Sequence, residues 1–275
     1  MDATATDALV IEDMVKIYRS HRTEVRAVDG VSLRVAAGTT FGLVGESGSG
    51  KSTIARCALR LVPPTSGRSM ITGEDPATLR GGALRQLRAR TGMVFQNPMA
   101  AFDPRMRIRD SVAEPLRTHT RLGAAEVRRT VDALLDEVGL AASHADRLPH
   151  QLSGGQCQRA GVARAIATSP ALVVLDEPTS ALDVSVQAQV LNLLQRLKRE
   201  RSLSFLLISH DLDVVRYMSD EVGVMRRGAL VERGSADTVL SEPSHDYTRR
   251  LLASMPPAPG VDPAVSDRAE RSLLP

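Results

Sequence analysis

GESGSGKST at residues 45–53 decides the fold, because one local geometry accounts for these residue types in this order. Gly45, Gly48 and Gly50 let the chain bend tightly, so that successive N–H groups can converge on a phosphate chain at a range no side chain would permit. Glu46, Ser47 and Ser49 complete the loop, and Lys51 brings a point charge to it. Ser52 offers a hydroxyl to Mg²⁺, and Thr53 is expected to open a helix whose N-terminal dipole favours the same anion. The apolar run FGLV at 41–44 precedes the loop and the helical run IARCALRLV at 54–62 follows it, which reads as strand, loop and helix.

The rest of the chain suits a large α/β core. With 275 residues, 43% hydrophobic and 24% charged, it has the composition of a globular protein able to bury one sizeable core with inserted subdomains. A formal charge of +3 is slight, no uninterrupted Lys/Arg tract occurs, and 3% aromatic residues leave few stacking platforms, so a nucleic-acid partner is not expected. No stretch approaches the ~18 apolar residues of a membrane span, and the N-terminus MDATATDALVIED carries acids where a secretory signal has bases, so the chain is expected in the cytoplasm. Cys57 and Cys157 are too few for a disulfide framework and read as small apolar fillers on helices.

Alternating apolar and polar residues over 9–18 and 25–35 predict an antiparallel edge sheet. A helix is expected over 78–91, a buried strand over 91–96, and a break at NPMAAFDPR, 97–105. Helical spacing from 110 to 140, ending at Gly139, predicts a helical insert in the core. The core resumes with a helix at 155–168, an apolar run at 171–178, a long helix at 184–201 and a second apolar run at 204–211, the pattern of parallel strands covered on both faces. Beyond residue 234 the signals weaken, and the prolines at 256, 257, 259 and 263 predict an irregular tail.

Two further constellations carry chemistry. LVVLDE ends an apolar strand in Asp176 and Glu177, at the strand end where open α/β sheets place ligands. Adjacent strand residues point to opposite sides, so Asp176 is expected to face the Mg²⁺ held by Ser52, and Glu177 to orient and deprotonate an attacking water. LSGGQ at 152–156 places Ser153, Gly154, Gly155 and Gln156 at a helix start and makes a second anion site. If both sites cannot reach one nucleotide, the second serves the nucleotide of a partner.

In this order, GESGSGKST, LSGGQ, LVVLDEP, SALD at 180–183 and ISHD at 208–211 resemble the ATP-binding cassette family of transport ATPases, over residues 9 to 234. The resemblance implies a P-loop NTPase core with a mainly parallel sheet, an N-terminal antiparallel β-subdomain and an inserted α-helical subdomain at about 97–154. It implies ATP and Mg²⁺ as cofactors. Tyr18 is similar to the aromatic that stacks on adenine, and Gln96 to the glutamine that senses Mg²⁺ and the attacking water. Asp183 resembles the dimer-contact aspartate and His210 the histidine that holds the γ-phosphate. Glu177, His210, Gln96 and Lys51 thus form the expected catalytic set, with Ser52, Gln96 and Asp176 around the metal.

VFQNPMAAFDPR and the tail segment SEPSHDYTRRLLASMP at 241–256 are similar to peptide and nickel importer ATPases. Residues 1–240 are then the nucleotide-binding domain and 241–275 an importer-type tail, partly irregular. The implied partners are permease subunits, a second ATPase subunit and, indirectly, an extracytoplasmic solute-binding protein, with the chain peripheral on the cytoplasmic side of the membrane. Asp246 in place of Pro, and Ala101-Phe102 in place of Ser-Leu, depart from that pattern and leave the solute open. An exporter ATPase, a cassette acting in translation or DNA repair, and a P-loop kinase or GTPase are the alternatives; the last gives LSGGQ no use.

Overall fold

A computed structural model describes residues 7–20 and 23–254. Two long strands, β1 (Leu9–Ser20) and β2 (Thr23–Val35), precede β3 (Thr40–Val44), and the glycine loop joins β3 to α1 (Lys51–Ala58). Next come β4 (Ser66–Ile71), α2 (Gly81–Ala89) and β5 (Thr91–Val94). The insert contains α3 (Ile108–His119) and α4 (Ala124–Glu137), then 3-10 turns at Ala142–His144 and Pro149–Gln151 lead into α5 (Gly154–Ile166). Strands and helices alternate through β6 (Leu172–Asp176), α6 (Val184–Arg201), β7 (Ser204–Ile208) and α7 (Leu212–Met218). A hairpin of β8 (Glu221–Arg226) and β9 (Ala229–Ser235) leads to α8 (Ala236–Ser241) and α9 (Asp246–Ala253).

The central sheet has the order β5-β6-β7-β3-β8-β9, parallel except for β9. Side-chain alternation divides its strands between two cores. Leu172, Val174, Leu206, Ile208, Phe41 and Leu43 face α1 and the N-terminal strands, while Val173, Leu175, Phe205 and Leu207 face α3, α5 and α6. Burial on both faces explains why β3, β6 and β7 read as continuous apolar runs.

Helix ends are specified locally. The Asp183 carboxylate accepts the Val186 N–H at 2.9 Å and starts α6; Lys198, Arg199 and Arg201 fill its last turn, and Ser202 closes it in the left-handed conformation at φ 51°. The insert is tied back to the core by Arg159, which donates to the Val138 carbonyl at 2.8 Å, and by Arg201 on α6, whose guanidinium pairs with Glu137. At its other end Arg164 donates to the Ala101 carbonyl at 2.6 Å and lies 4.5 Å from the Phe102 ring centroid.

Several expectations need correction. The expected N-terminal antiparallel sheet is present as β2, β1 and β4, and it includes β4, beyond the expected 9–35, with buried faces that cover α1 and β3. The strand at 91–96 stops at Val94, with Phe95 and Gln96 exposed, and the helix before it is shorter than 78–91. The helix after the glycine loop begins at Lys51, before Thr53. After residue 234 the chain is ordered into two short helices, whose buried Ala236, Val239, Leu240 and Tyr247 extend the second core. The expected irregularity at the 256–263 prolines, like the acidic start of the chain at 1–6, lies outside the described residues.

Candidate active site

Parallel strands send their carboxyl ends to one edge, and four of them deliver the candidate residues there. The ladders align Leu43 of β3 with Ile208 of β7, Ile208 with Asp176 of β6, and Leu175 with Val94 of β5. The residues just past those positions are the glycine loop, His210, Glu177 and Gln96, so motifs far apart in sequence become neighbours along one sheet edge.

The loop is shaped by backbone from both sheets. A Cβ on Gly50, at φ 105°, would lie 2.1 Å from the Ala27 carbonyl of β2, and one on Gly45, at φ 145°, would lie 2.2 Å from the Met225 carbonyl of β8. The Gly228 N–H donates to the Ser49 carbonyl at 2.9 Å. Within this frame the buried Lys51 ammonium donates to the carbonyls of Gly45 at 2.7 Å and Glu46 at 2.8 Å. Burial pulls the Lys51 pKa down, against the opposing pull of Glu177, Asp176 and Glu46. Ser47 and Gly48 are exposed at the loop crest, and Ser49 is buried.

The Ser52 hydroxyl donates to Asp176 Oδ1 at 2.7 Å. Burial pushes the Asp176 carboxyl up, while the Ser52 hydrogen bond, Arg56 and Lys51 pull it down. Hydroxyl and carboxylate oxygens are hard donors of the kind Mg²⁺ takes beside substrate phosphates, so the donor set fits that ion.

Glu177 leaves β6 at φ 49°, in the left-handed region, so its direction is set by that turn and not by strand alternation as expected. Its N–H donates to the Ile208 carbonyl at 2.9 Å. Its two carboxylate oxygens then meet different partners: Gln96 Nε2 donates to Oε2 at 2.7 Å, and His210 Nδ1 lies 3.3 Å from Oε1. Glu177, Thr179, Gln187, Ser209 and His210 line a cavity of about 130 Å³.

The LSGGQ segment lies elsewhere. Ser153 caps α5, its hydroxyl accepting the Gln156 N–H at 3.3 Å while the Gln156 side chain accepts the Ser153 N–H at 2.9 Å. Ser153 and Gly154 are exposed; Gly155 is packed against Val186 of α6. Among the described residues no hydrogen bond or ion pair joins 153–156 to 45–53. Asp183 is exposed, and its carboxyl is held below the usual range by the Val186 N–H and the Ser185 hydroxyl. Tyr18 is 43% exposed on β1, with the Lys16 ammonium 5.0 Å from its ring centroid, and pairs across to Val25, two residues from Ala27. Sequence reasoning missed the walls formed by Ala27, Met225 and Gly228, which act through backbone atoms and so carry no residue-type signature.

Comparison with known proteins agrees with this geometry. Residues 28–180 match the family model described as ABC transporter. The chain is 48% identical to the oligopeptide transport ATP-binding protein OppF of Salmonella typhimurium, covering 86% of this chain and 72% of the relative. It is 46% identical to the dipeptide transport ATP-binding protein DppF of Lactococcus lactis, covering 90% and 80%. Among solved structures, a dimeric ATP-binding cassette in a post-hydrolysis state bound to ADP and Pi superposes with a TM-score of 0.76 at 28% identity, over 83% of this chain and 98% of that one. Four strand ends converging on a phosphate loop, with this likeness over most of the length, place the chain in the ABC transporter family, as one of its ATP-hydrolysing subunits.

Proposed function

We propose that the chain energises peptide import, working peripherally on the cytoplasmic side of the cell membrane beside separate permease subunits. The observation that carries the hydrolytic part is Glu177 held between Gln96 and His210, next to the Ser52–Asp176 pair. Peptide as the solute is supported by the relatives, whose names specify oligopeptide or dipeptide transport. No helix among the described residues is long and apolar enough to cross a membrane, which suits a subunit that borrows its span from permeases.

Lys51 and the N–H groups of the loop from Ser47 to Thr53 hold the phosphates of ATP, and Tyr18 stacks on the adenine. Ser52, Asp176 and Gln96 hold Mg²⁺, which when bound supplies charge neutralisation. Glu177 takes a proton from the attacking water, Gln96 fixes the direction of that carboxylate, and His210 holds the γ-phosphate. Positioning and preorganised charge supply the catalysis, with no covalent work for the protein.

The tip of α5 serves a second nucleotide. α5 packs on β5, three strands from β3, an offset of about 14 Å at ~4.8 Å per strand, which supports the reading that Ser153, Gly154, Gly155 and Gln156 serve the ATP of a second cassette, with Asp183 at the contact. The partner is a second copy or a similar subunit. Residues 1–240 form the nucleotide-binding unit with its helical insert at about 97–154, residues 241–275 form the importer-type tail, and a solute-binding protein delivers the peptide from outside.

The test is co-purification with the permeases, followed by ATPase assays in vesicles with peptides delivered on the binding protein. Stimulation by peptides is expected. Stimulation only by a different solute class would overturn the peptide assignment, and hydrolysis unaffected by permeases would overturn the transport one.

A further inference from the structure

Tyr247 is the fourth residue of the tail segment SHDYT and lies far in sequence from the nucleotide-site motifs, yet it is 4% exposed and touches the glycine loop. Its hydroxyl accepts the Glu46 N–H at 3.3 Å. Its ring lies 4.8 Å from the Arg226 guanidinium, the residue next to Met225, whose carbonyl walls Gly45. The tail reaches this position through firm anchors. Glu232 on β9 accepts the Ser244 N–H at 2.7 Å, the Ser244 hydroxyl at 2.8 Å and the His245 N–H at 3.2 Å, and His245 Nδ1 accepts the Tyr247 N–H at 3.0 Å.

Residue 46 is therefore gripped at both of its polar backbone groups, the N–H by Tyr247 and the carbonyl by Lys51. The two grips are not equivalent. Lys51 cannot donate all three of its protons to its own loop and also to a phosphate, so its hold on Glu46 weakens as a triphosphate enters. The Tyr247 contact competes with no phosphate. It also commits the first N–H of the loop crest to the tail, leaving the later amides to turn toward the ligand.

We propose that Tyr247 is a positioning residue for the phosphate loop: by holding the Glu46 N–H it fixes the first turn of 45–53 in the form that receives ATP, which makes α9 a working part of the nucleotide site. The proposal rests on the ATPase reading above. One neutral hydrogen bond predicts an effect of about threefold to tenfold on ATP affinity, with turnover at saturating ATP changed by less than about twofold.

The experiment compares full-length wild type, Tyr247→Phe and Tyr247→Ala by calorimetric titration with MgATP, steady-state hydrolysis, and amide exchange at Glu46. Tyr247→Phe keeps the ring and its packing. It is expected to raise both the Kd and the KM for ATP about threefold to tenfold and to speed exchange at Glu46 by a similar factor, with Leu43 and Val44 unchanged. If the Phe variant matches wild type while the Ala variant is impaired, the tail acts through packing alone and the proposal is overturned. Should Tyr247→Phe fail to fold, Glu232→Ala loosens α9 at its other end and carries the same expectation; wild-type ATP affinity there overturns the proposal. A wild-type chain that binds no ATP overturns the ATPase reading itself, which separates the two failures.

Discussion

At Glu177 a single side chain meets three constraints, and each can be tested separately. The left-handed turn costs about 1 kcal/mol for a residue with a Cβ, and Gln bears the same cost, so Glu177→Gln isolates the carboxylate charge from the backbone conformation. Turnover is expected to fall by ~10²–10⁴-fold with ATP affinity held within about threefold, measured by single-turnover hydrolysis and nucleotide titration. Gly50→Ala tests the cradle in the opposite sense. Its Cβ would meet the Ala27 carbonyl, and a backbone oxygen cannot swing aside as a side-chain tip can, so ATP binding should be lost in equilibrium titration. The placement of Lys51 in the glycine loop and of Ser52 against Asp176 was legible in the sequence because it depends on residue type at fixed spacing. The direction of Glu177 was not, because the strand ends at Asp176, two residues before the 171–178 run does, and Glu177 turns at φ 49°.

The helices α5 and α6 each combine a cap with a candidate contact surface. Ser153→Ala removes the hydroxyl that accepts the Gln156 N–H, which should cost about 1 kcal/mol and lower the thermal midpoint by about 2–4 °C. On the dimer proposal the same variant leaves ATP affinity of the isolated chain unchanged and weakens ATP-driven pairing, read by light scattering. Asp183 adds a pH dependence. Its folded pKa is depressed, so its stabilising contribution is full above the unfolded value of about 3.9 and is lost as pH falls through the folded one. Asp183→Asn keeps a good cap without titrating, so the difference in thermal midpoint between wild type and variant should change between pH 6 and pH 3 in the direction of wild-type loss. The bounds of α6 were readable from its N-terminal Asp183 and basic last turn. Those of α9 were not, since an eight-residue helix draws its stability from docking through Tyr247 and Thr248, which no local pattern reveals.

For the whole molecule, ATP binding and folding are linked, because the ligand binds the folded chain alone. At ATP one hundred times its Kd, stability should rise by about 2.7 kcal/mol and the thermal midpoint by about 5–10 °C, measured by calorimetry. The sheet order was only partly legible: apolar runs identified β3, β6 and β7, but nothing local places β7 between β6 and β3, a pairing set by crossover packing. The glycine loop draws its walls from Ala27, ahead of it, and from Met225 and Gly228, far behind it. During synthesis at ~5–20 residues per second, the ribosome therefore needs on the order of ten to forty seconds after making Lys51 before the last wall emerges. A nascent chain therefore carries the nucleotide motif well before the backbone that walls it, and that cradle closes only once Gly228 has been added.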